Sequence, residues 1–189
     1  MRKIRIFEHI SLDGVIEHDA DYAYGAWTTA YRSPAGLQSL LEAYGTNFDL
    51  LLGRRTYDIF ASFWPNAGNS PMANGLNAAT KFVVTHRPES LEWGPLGNLG
   101  SDIAGELRRI KATDGPDLIV CGSSTVTSLL FEEGLVDEIV LIVYSVLLGE
   151  GKRLLSDGLK AQELSFVSSS ATETGVLLNT YRYVGPFKS

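Results

Sequence analysis

The sequence predicts an α/β domain in which a largely parallel sheet carries helices on both faces and ends in an antiparallel hairpin. Three observations lead there. Short apolar runs of strand length recur at Leu50–Leu52, Lys81–Thr85, Asp117–Cys121 and Glu138–Tyr144. Segments of helical periodicity separate them, and strands alternating with helices form parallel crossovers. The chain then closes on two long runs, Ala161–Ser170 and Thr174–Tyr183, joined by a short turn near Glu173–Gly175, which makes the sheet mixed.

The elements follow in order. Ile4, Ile6 and Glu8 alternate with Arg5, Phe7 and His9, and apolar residues on both sides place this first strand in the sheet interior. Asp13-Gly14 turns the chain into Val15-Ile16. Residues 17–33 show no period. They mix Glu17, His18, Asp19 and Asp21 with Tyr22, Tyr24, Trp27 and Tyr31, as a loop covering a cleft would. Ser33 and Pro34 suit the N-cap and first position of a helix whose face is Leu37, Leu40, Leu41 and Tyr44, stopped by Gly45. Leu50–Leu52 then runs through Gly53 into a helix opening on Arg54-Arg55-Thr56 and continuing with Tyr57, Ile59 and Phe60. Residues 61–79 read as loop, with room for a short helix over Met72–Ala78. Pro88–Gly100 reads as loop, and Ser101 caps a helix reaching Lys111. Gly122 starts the next helix, with Val126, Leu129, Leu130 and Phe131 inward and its end near Gly134. Leu147–Leu155 is a turn-rich link.

A length of 189 residues suits one domain with its own core, and no linker or repeat divides it. Hydrophobic content of 44% with 20% charged residues is that of a globular protein. A net charge of -6 argues against a general surface for nucleic acid or anionic membrane. No apolar run approaches the ~20 residues of a membrane span. The first residues are broken by Glu8 and His9 and do not form a signal peptide. One cysteine, Cys121, excludes an intrachain disulfide and suits a reducing compartment, so a cytoplasmic location is expected.

Several chemical motifs are missing. No Gly-x-Gly-x-x-Gly follows a strand, and no Gly-x-Ser-x-Gly elbow exists. Gly149-Glu150-Gly151-Lys152 is half a P-loop without its upstream glycine or following hydroxyl. His9, His18 and His86 have no metal spacing, and no metal is expected. Cys121, in an apolar strand, reads as core.

Three strand ends remain: Gly53-Arg54-Arg55-Thr56, Thr85-His86-Arg87, and Gly122-Ser123-Ser124-Thr125 with Val126 beyond. Ligands of such sheets sit outside the carboxyl ends of the strands. Glycine lets the backbone approach a pyrophosphate, and hydroxyls and N–H groups at helix starts bind its oxygens. Two adjacent guanidinium groups suit a further phosphate, which favours NADP over NAD. The competing reading is that Ser123 caps a helix and the arginines meet nearby carboxylates.

SLDGVI at 11–16, LLLGRRTY at 50–57, KFVVTHR at 81–87 and the segment 120–155, in this order, resemble the dihydrofolate reductase superfamily. Gly122-Ser123, the Gly-Leu-x-Asp-Glu at 134–138 and the Leu-Gly-x-Gly-x-x-Leu at 148–154 resemble the branch holding the reductase domain of bacterial riboflavin biosynthesis and its stand-alone relatives. The resemblance implies a three-layer fold with a mostly parallel eight-stranded sheet, and an NADPH-dependent reductase. It implies that Gly53, Arg54, Arg55 and Thr56 bind the adenosine-side phosphates and that Thr85, His86 and Arg87 flank the 2′-phosphate. Gly122, Ser123, Ser124, Thr125 and Val126 would wrap the pyrophosphate, and Ile16 would line the nicotinamide. Substrate would lie between the 17–33 loop, the helix carrying Leu37, and the segment around Phe60 and Trp64. By the same resemblance, hydride would pass to a C=O or C=N of a small heterocyclic or sugar-like substrate, as in 5-amino-6-(5-phosphoribosylamino)uracil reductase, and the protein would be a homodimer. The alternative is a regulatory protein that keeps the cofactor cradle without turnover. Folate reductases carry an acid on the helix before the GRRTY-type motif; here that helix has none before Glu42, so folate reduction is not expected. The proton donor is not identified: Glu17, Asp19, Asp21 and water are the candidates.

Overall fold

The computed structural model describes residues 1–18, 26–155 and 157–188. The strands are β1 (Ile4–Ser11), β2 (Val15–Glu17), β3 (Phe48–Gly53), β4 (Lys81–Val84), β5 (Leu96–Gly97), β6 (Asp117–Cys121), β7 (Glu138–Tyr144), β8 (Lys152–Arg153), β9 (Gln162–Ala171) and β10 (Leu177–Pro186). The α-helices are α1 (Pro34–Tyr44), α2 (Arg54–Phe63), α3 (Pro71–Ala78), α4 (Ile103–Ala112) and α5 (Ser124–Glu132).

Eight strands form one sheet in the order β5-β4-β3-β6-β1-β7-β10-β9. The expected interior position of β1 is observed: it pairs parallel with β6 on one side and β7 on the other. β10 pairs antiparallel with both β7 and β9, so the antiparallel part is confined to one end.

Alternation along the strands builds the layers. Phe7, Leu50, Leu52, Cys121, Val140 and Ile142 face a cluster holding Tyr44 of α1, Tyr57 and Phe60 of α2, and Leu76 of α3. Ile4, Ile6, Leu51, Leu118, Val120 and Ile139 face Leu107 and Ile110 of α4 and Val126 and Leu130 of α5. Glu8 and His9, consecutive on β1, therefore point to opposite faces. Each cluster buries more than a dozen side chains from strands far apart in sequence, so the fold is held mainly by this burial.

Local chemistry sets the ends. The Ser33 hydroxyl accepts the Gly36 N–H at 3.1 Å, and Pro34 opens α1. Gly45, at φ 82°, closes α1 with its N–H on the Leu41 carbonyl. The start of α4 corrects the expected cap: Asp102, not Ser101, occupies it, because its carboxylate accepts the Gly105 N–H at 2.9 Å. Residues 61–79 contain α3, capped by Ser70, and the 88–100 loop contains β5, paired on β4. The link 147–155 is more ordered than its composition suggests: β8 pairs with β2 in a small second sheet. Asp13 ties this link down by accepting N–H groups of Leu148 and Gly149 at 3.1 and 2.7 Å. The Ser11 hydroxyl and those amides hold its carboxyl down to about 2. Asp19, Asp21, Tyr22 and Tyr24 lie outside the described residues.

Candidate functional site

Two spaces flank the carboxyl end of β1. The first is a narrow cleft of about 90 Å³ on the α5 side. Ile16 from β2, Gly53, Arg54, Arg55 and Thr56 from the β3–α2 turn, and Gly122, Ser123 and Thr125 from the β6–α5 turn all line it. The structure brings these predicted residues together. Glu8, Glu17, Ile59 and Lys152 complete the lining.

The two turns interlock. The Ser123 hydroxyl accepts the Gly53 N–H at 2.8 Å, lies 2.9 Å from the Thr56 hydroxyl and 3.3 Å from the Cys121 carbonyl. It does not cap α5. Gly122 and Ser123 have φ of 58° and 60°, and Ser123 is the one non-glycine residue with positive φ among those described. A Cβ at Gly122 would stand 3.1 Å from the Thr56 hydroxyl, and one at Gly53 would stand 2.9 Å from that of Ser123. Glycine on each turn is thus required by a hydroxyl of the other, and the two helix starts are held side by side. N–H groups at two adjoining helix starts are the chemistry a phosphate needs.

Both arginines carry carboxylate partners. Arg54 Nε bonds Asp58 at 2.8 Å, and its Nη1 reaches the Ser90 hydroxyl at 2.5 Å and the Arg87 carbonyl at 3.4 Å. Arg55 pairs with Glu17 at 2.5 Å. These are surface pairs of small net value, open to competition by a phosphate. Thr85, His86 and Arg87 follow β4 beside this turn. They do not line the cleft, and they connect to it through Arg54. Ser124 and Val126 are buried beneath it in α5.

Glu8 is the residue that motif reasoning passed over. It is 1% exposed, and its Oε2 has no partner among the described residues. Burial pushes its carboxyl up to about 8, while the backbone amides of His9 and Gly122 and the charge of Lys152 pull it down. It is therefore largely protonated at neutral pH, an uncharged donor in the cleft wall. The signal in the sequence was a carboxylate inside an interior apolar strand. An orphaned buried carboxyl oxygen and a glycine-lined gap fit the amide and pyrophosphate of a nicotinamide dinucleotide.

The second space, about 860 Å³, lies on the opposite face of the sheet. Leu37 of α1, Phe60 of α2 and Trp64 line it, as do Phe63, Met72 and Tyr31. His9, Ile142 and Tyr144 form its floor, and Val176 and Leu178 of the hairpin its far side. His9 Nδ1 lies 2.7 Å from Tyr144 Oη. Burial, aided by the charge of Arg32, lowers His9 to about 4. Burial raises Tyr144 to about 12, against a hydrogen bond from Thr28. Both are uncharged at neutral pH. No carboxylate lines this cavity among the described residues; Glu42 of α1 instead accepts from Gln38 at 2.8 Å, exposed. Ile59 lines both spaces, so they adjoin there.

Other candidates are inert. Cys121 is buried 3.0 Å from the Tyr44 hydroxyl, and burial pushes its thiol up to about 12. No cluster of metal-ligating side chains occurs among the described residues, and no described helix is long and apolar enough to cross a membrane.

Sheet order, the antiparallel end and two cavities at the strand ends define a dihydrofolate reductase-like α/β protein. Within that class the chain belongs to the RibD C-terminal domain family, whose model matches residues 2–178. A crystal structure of a putative riboflavin biosynthesis protein from Shewanella sp. PV-4 shares the fold with a TM-score of 0.65 at 21% identity, covering 96% of this chain and 99% of that one. A diaminohydroxyphosphoribosylaminopyrimidine deaminase/5-amino-6-(5-phosphoribosylamino)uracil reductase from Thermotoga maritima has a TM-score of 0.66 at 15% identity. The match covers 97% of this chain but 57% of that one. The uncharacterized protein YyaP of Bacillus subtilis (strain 168) is 24% identical over 140 residues, 72% of this chain and 74% of its own length.

Proposed function

We propose that the protein is an NADPH-dependent reductase that transfers hydride to a C=O or C=N of a small molecule. The observation that carries this reading is the pairing of two adjoining spaces across β1. One is a glycine-lined cleft with basic residues at its rim; the other is a large aromatic cavity. Family membership and the fold shared with the Thermotoga reductase support the same reaction class. NADPH, when bound, supplies the hydride. The Gly122-Ser123 turn would hold the pyrophosphate, and Arg54 and Arg55 would exchange Asp58 and Glu17 for the 2′-phosphate. Ile16 and protonated Glu8 would face the nicotinamide end, with Glu8 as a donor or acceptor for its carboxamide. Leu37, Phe60 and Trp64 would hold substrate.

A homodimer in a reducing, cytoplasmic setting belongs to the same proposal. β9 supports the dimer: it is an edge strand exposed along nearly its whole length, with Phe166 at 65% and Val167 at 45% exposure. Single-turnover oxidation of NADPH across aryl ketones, pterins and aminopyrimidines tests the reaction. Oxidation with one class supports the reductase. Tight NADPH binding with no oxidation across the panel would favour a regulatory binding protein, a role consistent with a cavity that no carboxylate lines among the described residues.

A further inference from the structure

We propose that the large cavity takes an uncharged, mainly apolar ring compound with one carbonyl group, whose oxygen is held by the His9–Tyr144 pair. This rests on the reductase reading and narrows its substrate.

Phe60, Phe63 and Trp64 on one side face Leu37, Leu40 and Met72, with only isolated hydroxyls between them. Phe60 and Trp64 stand edge to face with ring centroids 6.1 Å apart, so the wall is a built aromatic surface. Its volume, about 860 Å³, is that of a site for a drug-sized molecule. Among the described lining residues Arg32 is the one cation, and no lysine occurs. Arg32 already lies within 3.5 Å of the Thr28 hydroxyl. A phosphorylated ribose would bring a dianion and several hydroxyls into this space. A buried phosphate needs a fork of guanidinium groups or a backbone nest, and buried hydroxyls need partners. The N-terminus of α1 lines one edge beside Arg32, but Pro34 has no N–H and the N–H groups of Gly36 and Leu37 are taken by Ser33, so neither is present in the required number.

A pocket of this kind orients its ligand by a few polar groups in an apolar wall. His9 and Tyr144 are such a pair. His9 Nδ1 and Tyr144 Oη meet at 2.7 Å on the cavity floor, and Tyr31 and Trp27 pack edge-on against Tyr144 with ring centroids 5.5 and 5.1 Å away. The ring is thus fixed by packing, and its hydroxyl sits between His9 and Thr28, which both line the cavity. Burial keeps histidine unprotonated and tyrosine protonated, so the pair offers a neutral donor rather than a charge. With His9 Nδ1 and the Thr28 hydroxyl both donating to Tyr144 Oη, the tyrosine keeps its own proton for a ligand oxygen. A carbonyl accepts one such bond and needs no counter-charge. Ile59 lines both spaces, so a ring held by this pair reaches the mouth of the cleft past that side chain.

The test uses binding without turnover. Thermal-shift and calorimetric titrations compare 1-tetralone, its carbonyl-free parent tetralin, and ribose 5-phosphate. Wild type should bind tetralone more tightly than tetralin and should not respond to ribose 5-phosphate. Tyr144→Phe should weaken tetralone about tenfold, the loss of a single hydrogen bond, and leave tetralin unchanged. Leu37→Glu, at a half-exposed position that tolerates a charge, should abolish binding of both rings. Equal affinity for tetralone and tetralin, an unchanged tetralone affinity in Tyr144→Phe, or preference for ribose 5-phosphate would overturn the proposal. NADPH titrated into the same proteins separates the two readings. Tetralone binding without NADPH binding removes the reductase and keeps the ligand class. NADPH binding with selective ribose 5-phosphate binding does the reverse.

Discussion

Glu8 shows how one side chain ties stability to the site. Its folded carboxyl, near 8, stands above its ordinary value of 4.5. The folded state therefore holds a proton that the unfolded chain releases, and stability is present in full below about 4.5 and lost as pH rises to about 8. Glu8→Gln keeps an amide in place of the acid and removes this loss. Thermal melts should show the variant gaining on wild type steadily from pH 5 to 8, by several degrees at the upper end. Parallel curves would mean that Glu8 is not protonated in the fold. His9 acts in the opposite direction: its folded value near 4 lies below 6.5, so stability falls as pH drops through that window. The two residues were visible in the sequence only as interruptions of an apolar strand. Alternation placed them on opposite faces, but which face carried a cavity depended on helices far along the chain.

Between the elements, the interlocked β3–α2 and β6–α5 turns decide the shape of the cleft. Ser123 spends its hydroxyl on Gly53 and Thr56, in a left-handed backbone that glycine would adopt more easily. Ser123→Ala leaves the Gly53 N–H without its acceptor and should cost about 1–3 kcal/mol in chemical denaturation. Ser123→Gly should cost less, because relief of the positive φ offsets part of that loss. The reverse order would indicate that the hydroxyl bonds contribute little. Two of the helix ends were legible because their chemistry is local: Ser33-Pro34 and Gly45 each act on neighbours in sequence, whereas Gly122, two residues before α5, is required by Thr56 far along the chain. Ser101 was misplaced by a single residue, since serine and aspartate both cap and only the geometry at Gly105 selects Asp102. The β2–β8 pair was not legible at all. It joins residues more than 130 positions apart, and neither partner is long enough to show a period.

For the whole molecule, the parallel order could be inferred from alternating strands and helices, and the hairpin from its two long runs. What the sequence hid was the pairing of two spaces across β1, because it arises from packing of α1, α2 and the hairpin together. The exposed face of β9 matters at the same scale. Phe166→Lys places a charge on the edge strand and should convert the proposed dimer to monomer in sedimentation without changing the melt of the monomer fold. A wild-type chain that sediments as monomer would remove the dimer.

Fluorescence titration of NADPH and NADH into wild type and the Arg54→Ala/Arg55→Ala double variant tests the cleft directly as a cofactor site. Both arginines sit in surface ion pairs, so the double variant should fold. Wild type should bind NADPH at micromolar concentration and NADH more weakly, and the double variant should lose at least about tenfold for NADPH while NADH changes little. Absence of NADPH binding to wild type, or equal losses for the two cofactors, would contradict that role for the cleft.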